Sequence, residues 1–385
     1  MAPMTMSDDA CRVCGKEDDE EFLVLCDGCD RAFHTACVQG CTCCNTKPRN
    51  NFARKPAVPE GDWFCKFCAG RIPALEEGKK AVSSVFVWGD NEDGQLALPD
   101  TEAKVIWKPT KVHELDGIGV LDIACGETCT YALCNDANLY SVGTGLSGQL
   151  GHQDIVHEKL VHFRLPENQD IDDPAEFLLG RDITQLAAGR SHAAAVVAGT
   201  KGLWTWGYGD RGQIGHPKPA PIPGQSKFFR SQFRVPRPRF VQTFKNDVVK
   251  FVACGAQHTL VLLTDGRLFA MGDNEFGQLG VKRGETSEEN LVDTPVHVTT
   301  FGSDKSIKQI GCGDDFSVAL TSTSEVYSWG RNQLGQLGLG DAQTEPLDTP
   351  TKVSDLPPIQ KLAVGINQVF AIEFTDGTLA WICLE

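Results

Sequence analysis

The stretch LFAMGDNEFGQLGV, residues 268–281, joins an apolar run to a glycine-rich turn, and its pattern recurs along the chain. Four other stretches share the pattern: VFVWGDNEDGQLAL from Val85, LYSVGTGLSGQLGH from Leu139, LWTWGYGDRGQIGH from Leu203 and VYSWGRNQLGQLGL from Val326. Their central glutamines, Gln95, Gln149, Gln213, Gln278 and Gln336, are 54, 64, 65 and 58 residues apart. Self-similarity at this spacing is typical of propellers and solenoids.

Each repeat also contains an apolar run that ends just before a glycine. The five runs are DIACGETC, QLAAGRSH, FVACGAQH, QIGCGDDF and KLAVGINQ. Short apolar segments separated by glycine turns indicate strands, and no long segment has the periodicity of a helix. The sequence therefore predicts an all-β fold from about residue 84 onward.

These repeats resemble the regulator of chromosome condensation family in their xWGxNxxGQLG and AGxxH motifs, over about residues 84–385. The family fold is a β-propeller, usually of seven blades, so the resemblance implies an all-β propeller of about five to seven blades. Five full units are present, and a sixth begins around Trp381, where Ile382 stands in the place of the motif glycine. Either about five blades close the ring, or the chain is incomplete.

Two glycine-rich stretches fit a dinucleotide-binding pattern without its context. GTGLSG (143–148) and GYGDRG (207–212) both match G-x-G-x-x-G. A nucleotide site requires that motif to open a helix after a strand. In both places the sequence continues with Gln-Leu-Gly or Gln-Ile-Gly, as in the other repeats, so these glycines are expected in turns.

Ten of the sixteen cysteines lie in the first 68 residues, mostly in pairs with two-residue spacers. The candidate ligands are Cys11, Cys14, Cys26, Cys29, His34, Cys37, Cys65 and Cys68. A two-residue spacer lets two ligands reach one ion in a tetrahedral site, so four pairs predict two structural zinc ions. Three further cysteines, Cys41, Cys43 and Cys44, are either spare thiols or a third metal contact.

The ligand order of four cysteines, one histidine and three cysteines resembles a PHD finger, over residues 8–70. The stretch LCDGCDRAFH and Trp63, two residues before Cys65, add to the resemblance, and residues 71–83 are expected to form a linker. In that family the pairs interleave. The resemblance implies that one zinc is bound by Cys11, Cys14, His34 and Cys37, and the other by Cys26, Cys29, Cys65 and Cys68.

The resemblance also implies that the finger reads the N-terminal tail of histone three. Leu23 stands where members that form an aromatic cage often have Trp, and such cages hold trimethyl-lysine. The nearby carboxylates instead suit an unmodified or weakly methylated ammonium group. The candidate contacts are Asp8, Asp9, Glu17, Asp18, Leu23 and Trp63. The alternatives are a purely structural finger and a solvated acidic loop.

The third repeat carries an insertion, residues 216–240, that is rich in proline and basic residues. Its candidate contacts are Lys227, Arg230, Arg234, Arg237 and Arg239. Arginines interleaved with phenylalanines could bind phosphates or an acidic protein surface. The alternative is a solvated loop that lies against the acidic propeller itself.

Some members of the propeller family exchange nucleotide on the small GTPase Ran, using turn residues after the AG motif. The matching positions in this chain are Glu127 or Thr128, Ser191 and Phe316, where those members have Asp, Asp and His. Asp314 and Asp315 lie beside Phe316 and could substitute for it. The candidate GTPase contacts are therefore Glu127, Ser191, Asp314 and Asp315.

Composition limits the remaining options. The net charge of −15 argues against a general polyanion binder. The start of the chain is not typical of a signal peptide, and no run approaches eighteen apolar residues. A reducing compartment argues against disulfides, and the six scattered cysteines are expected to be buried small hydrophobic residues.

Together these patterns predict a nuclear chromatin-associated interaction protein that binds histone tail or nucleosome. It is expected to bind two structural zinc ions. We expect it to act on no small-molecule substrate and to have no membrane association. No catalytic nucleophile or base is apparent. The alternatives are a guanine nucleotide exchange factor for Ran and a plain scaffold.

Overall fold

The computed structural model describes residues 23–25, 32–34, 84–134, 138–152, 156–163, 183–198, 202–218, 233–284, 290–301, 306–340, 344–375 and 378–384. The chain divides into two compact units, Met1–Ser83 with Asp172–Glu176, and Ser84–Ile171 with Phe177–Glu385. In the first unit the described residues form a short hairpin of β1 (Leu23–Leu25) and β2 (Ala32–His34). The hairpin pairs Leu23 with His34 and Leu25 with Ala32.

The described part of the second unit consists of strands and two 3₁₀ turns, His113–Leu115 and Gln242–Phe244. Its first sheet contains β3 (Phe86–Asp90) and β4 (Val105–Lys111). The second contains β5 (Val120–Cys125), β6 (Cys129–Cys134), β7 (Leu139–Thr144) and β8 (Val156–Phe163). The third contains β9 (Ile183–Ala188), β10 (His192–Val197), β11 (Leu203–Tyr208) and β12 (Arg234–Phe240).

Three further sheets follow in the same order along the chain. The fourth contains β13 (Val249–Cys254), β14 (His258–Leu263), β15 (Leu268–Asp273) and β16 (Leu291–His297). The fifth contains β17 (Ile307–Cys312), β18 (Phe316–Thr321), β19 (Val326–Gly330) and β20 (Leu347–Lys352). The sixth contains β21 (Ile359–Val364), β22 (Val369–Thr375) and β23 (Thr378–Leu384).

Every sheet is an antiparallel meander, and the first strand of one sheet lies against the first strand of the next, from β5 through β9, β13 and β17 to β21. The prediction of an all-β propeller is confirmed, and we call the six sheets blades 1 to 6. The first two strands of a blade form its inner hairpin. In the described residues, blades 2 to 5 have four strands, blade 1 has two and blade 6 has three.

The glycine of the repeated Trp-Gly motif is required by the third strand of each complete blade. It has a φ of +112° at Gly143 and +116° at Gly272, which side chains rarely adopt. A Cβ atom at Gly272 would lie 2.4 Å from the carbonyl oxygen of Gln257, at the start of the second strand. Close approach of two backbones therefore explains why this position recurs as glycine.

The Asn and Gln of the motif fold the turn that follows the third strand. In blade 4 the Asn274 side chain accepts a hydrogen bond from the backbone N–H of Leu279 at 3.1 Å. The Gln278 side chain accepts one from the N–H of Phe276 at 2.9 Å. Asn332 and Gln336 make the same bonds in blade 5. Both side chains are buried, so the motif is a turn scaffold and not a surface signature.

Blade 6 departs from the register of the other blades. In blades 2 to 5 the motif glycine pairs with the residue three positions after the inner-turn glycine, as Gly272 does with His258. In blade 6, Ile382 pairs with Ala371, in the middle of β22. Ile382 therefore does not pair as the motif glycine does, and this end of the repeat array is irregular.

The hydrophobic core lies between neighbouring blades. Trp206 of blade 3 is fully buried, and its ring meets that of Tyr131 of blade 2 edge-on, with centroids 5.7 Å apart. Its indole N–H donates to the Gln149 carbonyl of blade 2 at 2.9 Å, and Trp329 makes the same bond to Gln278. The blades therefore stabilise one another through both packing and hydrogen bonds.

Candidate partner-binding surfaces

The turns of the inner hairpins surround a cleft where the first strands of the blades meet. The cleft has a volume of about 370 Å³, and residues lining it include Cys125, Arg190, Cys254, Cys312 and Val364. A glycine begins each turn. A Cβ atom at Gly126 would lie 2.7 Å from the Gly189 carbonyl oxygen, and one at Gly189 would lie 2.3 Å from that of Gly255. The glycines therefore let adjacent blades approach closely around the cleft.

Arg190 joins two of the candidate GTPase contacts at the edge of this cleft. Its Nε lies 3.0 Å from Glu127 Oε2 of blade 2, and an Nη lies 3.4 Å from Asp314 Oδ2 of blade 5. One guanidinium thus links carboxylates from two non-adjacent blades. Sequence reasoning missed Arg190, although it occupies the same inner turn as Ser191 and is one of the few basic residues in these turns.

The carboxyl group of Asp314 has a perturbed pKa. Partial burial raises its pKa, the nearby Asp315 and Glu127 raise it further, and Arg190 and Arg331 act in the opposite direction. Asp315 has its own partner, since Arg331 lies 3.2 Å from its Oδ2. The cluster is therefore a mixed-charge surface in which Asp314 and Asp315 each face an arginine.

The other positions implied by the exchange-factor resemblance differ in accessibility. Ser191 is partly buried, and its carbonyl accepts a hydrogen bond from the Tyr208 N–H at 2.8 Å. The Thr128 hydroxyl accepts one from the Gln149 side chain at 3.3 Å. Phe316 is fully buried and packs on Gly313, so it offers no surface to a partner.

The scattered cysteines do not all behave as buried hydrophobic residues. Cys129 and Cys134 are buried, Cys254 and Cys312 are half-buried, and Cys125 is exposed. The expectation of uniform burial is thus wrong for Cys125, while Cys383 lies outside the residues whose side chains are described. Burial raises the pKa of Cys254 to about 12, so this thiol is protonated near neutral pH.

The basic insertion continues into the outermost strand of blade 3. Arg234, Arg237 and Arg239 lie on β12 with exposed side chains, and Arg234 donates to the Leu146 carbonyl. Val235 and Phe240 of the same strand are buried. The strand therefore anchors the insertion and presents three arginines on its outer surface. Lys227 and Arg230 lie outside the described residues.

Of the predicted zinc ligands, His34 lies in a described strand. The other seven, Cys11, Cys14, Cys26, Cys29, Cys37, Cys65 and Cys68, lie outside the described residues, as do Cys41, Cys43 and Cys44. Thiolates and imidazole are the donors that structural zinc prefers, so the donor set fits the metal. Residues 26–31 connect β1 and β2 at one end of the hairpin, and His34 lies at the other end.

The histone-tail candidates fall in the same unit. Leu23 begins β1, whereas Asp8, Asp9, Glu17, Asp18 and Trp63 lie outside the described residues. Within the described ranges, no group of three or more His, Cys, Asp or Glu side chains is arranged to bind a metal ion. None of the helical segments in the described part of the chain is long and apolar enough to cross a membrane.

Family models match both parts of the chain. The regulator of chromosome condensation (RCC1) repeat matches residues 83–133, 136–196, 202–262, 265–320 and 324–372. The PHD-finger model matches residues 11–68. The repeat matches cover well over half of the chain, and the finger match begins and ends on predicted zinc ligands.

Among curated proteins, the ultraviolet-B receptor UVR8 of Arabidopsis thaliana is 31% identical over 66% of this chain and 50% of its own length. The regulator of chromosome condensation of Xenopus laevis is 27% identical over 78% of this chain and 67% of its own length. The chain thus spans half the length of the plant receptor. The solved structure of human WBSCR16 has a TM-score of 0.58 at 20% identity, covering 74% of this chain and 68% of that one, which supports the fold alone.

Proposed function

Because the chain belongs to the family of regulator of chromosome condensation (RCC1) repeat proteins and carries a PHD finger at residues 11–68, we propose that it is a nuclear chromatin-associated interaction protein. The observation that carries the proposal is the presence of both modules in one chain. The finger binds a histone tail, and the propeller docks on chromatin or on a partner protein. Two modest contacts on one chain raise the effective concentration of each.

A PHD finger implies zinc binding, and we assign two ions to this one. Cys11, Cys14, His34 and Cys37 bind the first, and Cys26, Cys29, Cys65 and Cys68 bind the second. The hairpin register supports separate sites, because His34 lies two positions beyond Ala32 on β2, roughly 7 Å further along the strand. The ions supply folding free energy and perform no chemistry on a substrate.

The histone-tail contact is tested with the full zinc-loaded chain and fluorescent peptides of the histone-three tail, unmodified and trimethylated. We expect tighter binding of the unmodified peptide. Replacing Asp8 and Asp9 with Asn should weaken it several-fold, since carboxylates bind an ammonium group. Glu102→Gln, an exposed acid on blade 1, is the matched control. Equal binding by both peptides and all variants would contradict the tail-reading role.

The propeller contact is tested separately with nucleosomes. The arginines of β12 and of the insertion are proposed to bind phosphate or an acidic protein surface. Replacing Arg234 and Arg237 with Gln should lower nucleosome affinity and reduce its salt dependence. Unchanged affinity would assign chromatin binding to the finger alone.

A second candidate function is guanine nucleotide exchange on the small GTPase Ran, supported by the convergence of Glu127 and Asp314 on Arg190. The burial of Phe316, where the exchange factors use His, weighs against it. The decisive measurement is release of fluorescent GDP from Ran by catalytic amounts of the chain. If release is fast, Glu127→Gln and Asp314→Asn should slow it while Glu102→Gln does not. No release from folded, zinc-loaded protein would eliminate this candidate.

A further inference from the structure

Blade 1 lacks, among the described strands, the partner that the third strand has in every complete blade. Gly89 of β3 has a φ of +112°, like the other motif glycines. A Cβ atom at Gly89 would nevertheless meet nothing within 4 Å, whereas at Gly143 it would lie 2.1 Å from the Thr128 carbonyl oxygen. In the described part of the chain, the space that an inner hairpin fills in blades 2 to 5 is therefore open beside β3.

Apolar side chains line this open space. Phe86, Trp88 and Ile123 are 53%, 61% and 43% exposed. Trp206 and Trp329 occupy the same motif position as Trp88 in blades 3 and 5, and both are fully buried. A groove of about 220 Å³ runs between β3 and blade 2, and Phe86, Ile123 and Thr130 are among the residues that line it. Its walls continue the interfaces that join the other blades, so another inner hairpin would fit it.

A hydrogen-bond relay in the complete blades indicates the chemistry of that hairpin. His192 of blade 3 lies with Nε2 2.9 Å from Thr259 Oγ1 of blade 4. The Thr259 hydroxyl donates its proton to the Gln213 carbonyl of blade 3 at 2.8 Å, so it accepts from the imidazole N–H. Both side chains are fully buried. We call this arrangement the latch.

The same latch joins blade 4 to blade 5. His258 Nε2 lies 2.9 Å from Ser317 Oγ, and Ser317 donates to the Gln278 carbonyl at 2.7 Å. In both latches the histidine stands three residues after the glycine of its inner turn. The hydroxyl stands four residues after the glycine of the next inner turn.

The remaining inner hairpins show that histidine and hydroxyl occur together. Blade 6 has Val369 at the hydroxyl position, and the preceding blade has Phe316 in place of histidine. Blade 3 has Ala193 there, and the preceding blade has Cys129. A cysteine accompanies the hydroxyl within its own blade, as Cys254 does Thr259 at 3.8 Å. In the two blades that lack the hydroxyl, the position of this cysteine is occupied by Ala188 in blade 3 and by Val364 in blade 6.

Blade 2 has the receiving half of a latch. Thr130 occupies the hydroxyl position, Cys125 accompanies it, and Gln95 of blade 1 occupies the place of the accepting carbonyl. The imidazole donor is missing from the described residues of blade 1. Thr130 and Cys125 both line the groove beside β3.

We propose that this groove is the docking site of an antiparallel β-hairpin of the same repeat type, with a Gly-x-x-His turn whose imidazole N–H donates to Thr130. The hairpin pairs with the free edge of β3 and covers Ile123. An amide side chain at the third residue of its first strand would reach the Ile123 backbone, because Gln185 bonds the Val252 N–H and carbonyl in this way, each at 2.9 Å.

The inner hairpin of blade 6 is the competing occupant. At the position of the latch histidine this hairpin has Gln368. Its second strand, β22, is already paired with β21 and β23. To complete blade 1, it would have to exchange β23 for β3. We therefore assign the groove to a histidine-bearing hairpin and keep closure by β21–β22 as an outcome of the test.

The test fuses a copy of residues 183–197, which carries both Gln185 and His192, after residue 385 of the full chain through about twenty Gly/Ser residues. Amide hydrogen exchange of Phe86–Asp90 and tryptophan emission report docking. We expect exchange of the β3 amides to slow by about tenfold or more and the Trp88 emission to shift to the blue. A matched fusion, with His→Phe at the copied latch position, should protect β3 much less. Thr130→Val should remove the difference between the two fusions.

Three results would overturn the proposal. Equal protection by the His and Phe fusions would show that the latch does not select the occupant, and no protection by either would show that the groove takes no hairpin. Protection already complete in the unfused chain and lost in Gln368→Ala would assign the groove to blade 6. Protection that rises with protein concentration, together with dimers in sedimentation, would assign it to a second copy.

Discussion

At the scale of single residues, the repeated glycines are determined by backbone conformation and close contact. Gly272 and Gly89 occupy the same motif position with φ of +116° and +112°. A side chain at Gly272 would collide with the Gln257 carbonyl, whereas one at Gly89 would face open space. Substitutions at the two positions therefore distinguish the free-energy cost of the backbone conformation from that of a steric clash.

Gly272→Ala should lower the free energy of unfolding by about 3–5 kcal/mol, because both costs apply. Gly89→Ala should lower it by about 1–2 kcal/mol, because the conformational cost alone applies. Urea unfolding followed by tryptophan emission measures both. Equal losses would contradict the open space beside β3.

The latch histidines give the fold a pH dependence. Burial lowers the pKa of His192 to about 3 and that of His258 to about 4, and both side chains are neutral hydrogen-bond donors. The unfolded chain takes up these protons near the ordinary value of about 6.5. The stability that they contribute is therefore complete above about pH 6.5 and is lost as the pH falls toward 4.

Replacing His192 with Phe, the residue at the same position of blade 5, should flatten the fall in unfolding free energy by up to about 1.4 kcal/mol per pH unit between pH 6 and 4.5. Urea midpoints across this range measure the slope. A wild-type slope in the Phe variant would show that His192 is protonated in the folded chain.

Residue types were predictable from sequence where a motif repeats, and less so where one position interacts across blades. The Gly-Gln-Leu-Gly text predicted turns, and the cysteine pairs predicted a metal site. The role of Arg190 and the burial of Phe316 depend on which turns meet around the cleft. A single repeat does not contain that information, because the contacts join residues more than a hundred positions apart.

At the scale of strands, the innermost strands β9 and β17 each use a side chain to bond the backbone of the next blade. The Gln185 amide bonds both the N–H and the carbonyl of Val252, and Gln309 bonds those of Leu362 at 2.9 and 2.7 Å. These amides act as short extensions of the hydrogen-bond ladder between strands of different sheets. Phe251 stands at the same position of β13 and makes no such bond.

Gln185→Leu should lower the free energy of unfolding by about 2 kcal/mol, since it leaves two backbone groups of Val252 without partners. Hydrogen exchange at the Val252 amide should become faster at the same time. Phe251→Leu should change stability by less than about 1 kcal/mol, because it is partly exposed. A neutral Gln185 variant would mean that water replaces the amide.

Strand order and strand number were predictable to different degrees. Alternating apolar runs identified the strands of the complete blades. The incomplete blades at the two ends of the propeller, and the displaced register of β23, could not be predicted from the motif. Register depends on turn length, and two residues separate β22 from β23, whereas four separate β14 from β15.

At the scale of the whole molecule, zinc and hydrophobic packing stabilise different parts of the chain. The predicted ligands fall in the first unit, and the large buried side chains lie between blades of the second. Because structural zinc supplies much of the folding free energy of a small finger, removing it should affect the two units unequally.

Metal analysis of the purified chain should give two zinc ions per molecule, and Cys26→Ser should lower that number. A strong chelator should abolish histone-peptide binding while the thermal transition of the propeller, followed by tryptophan emission at Trp206 and Trp329, shifts little. Loss of both together would mean that the propeller depends on the finger for its stability.

The latch also bears on how such a repeat array can change during evolution. Each latch joins a histidine to a hydroxyl in the following blade, so the repeats are not interchangeable units. Loss of blade 4 would place His192 before Ser317, a compatible pair. Loss of blade 5 would place His258 before Val369 and leave a buried imidazole N–H without an acceptor. A duplication or deletion of repeats is therefore tolerated only when the side chains at the new junction are compatible. For this reason the sequence determines the order of the blades as well as their fold.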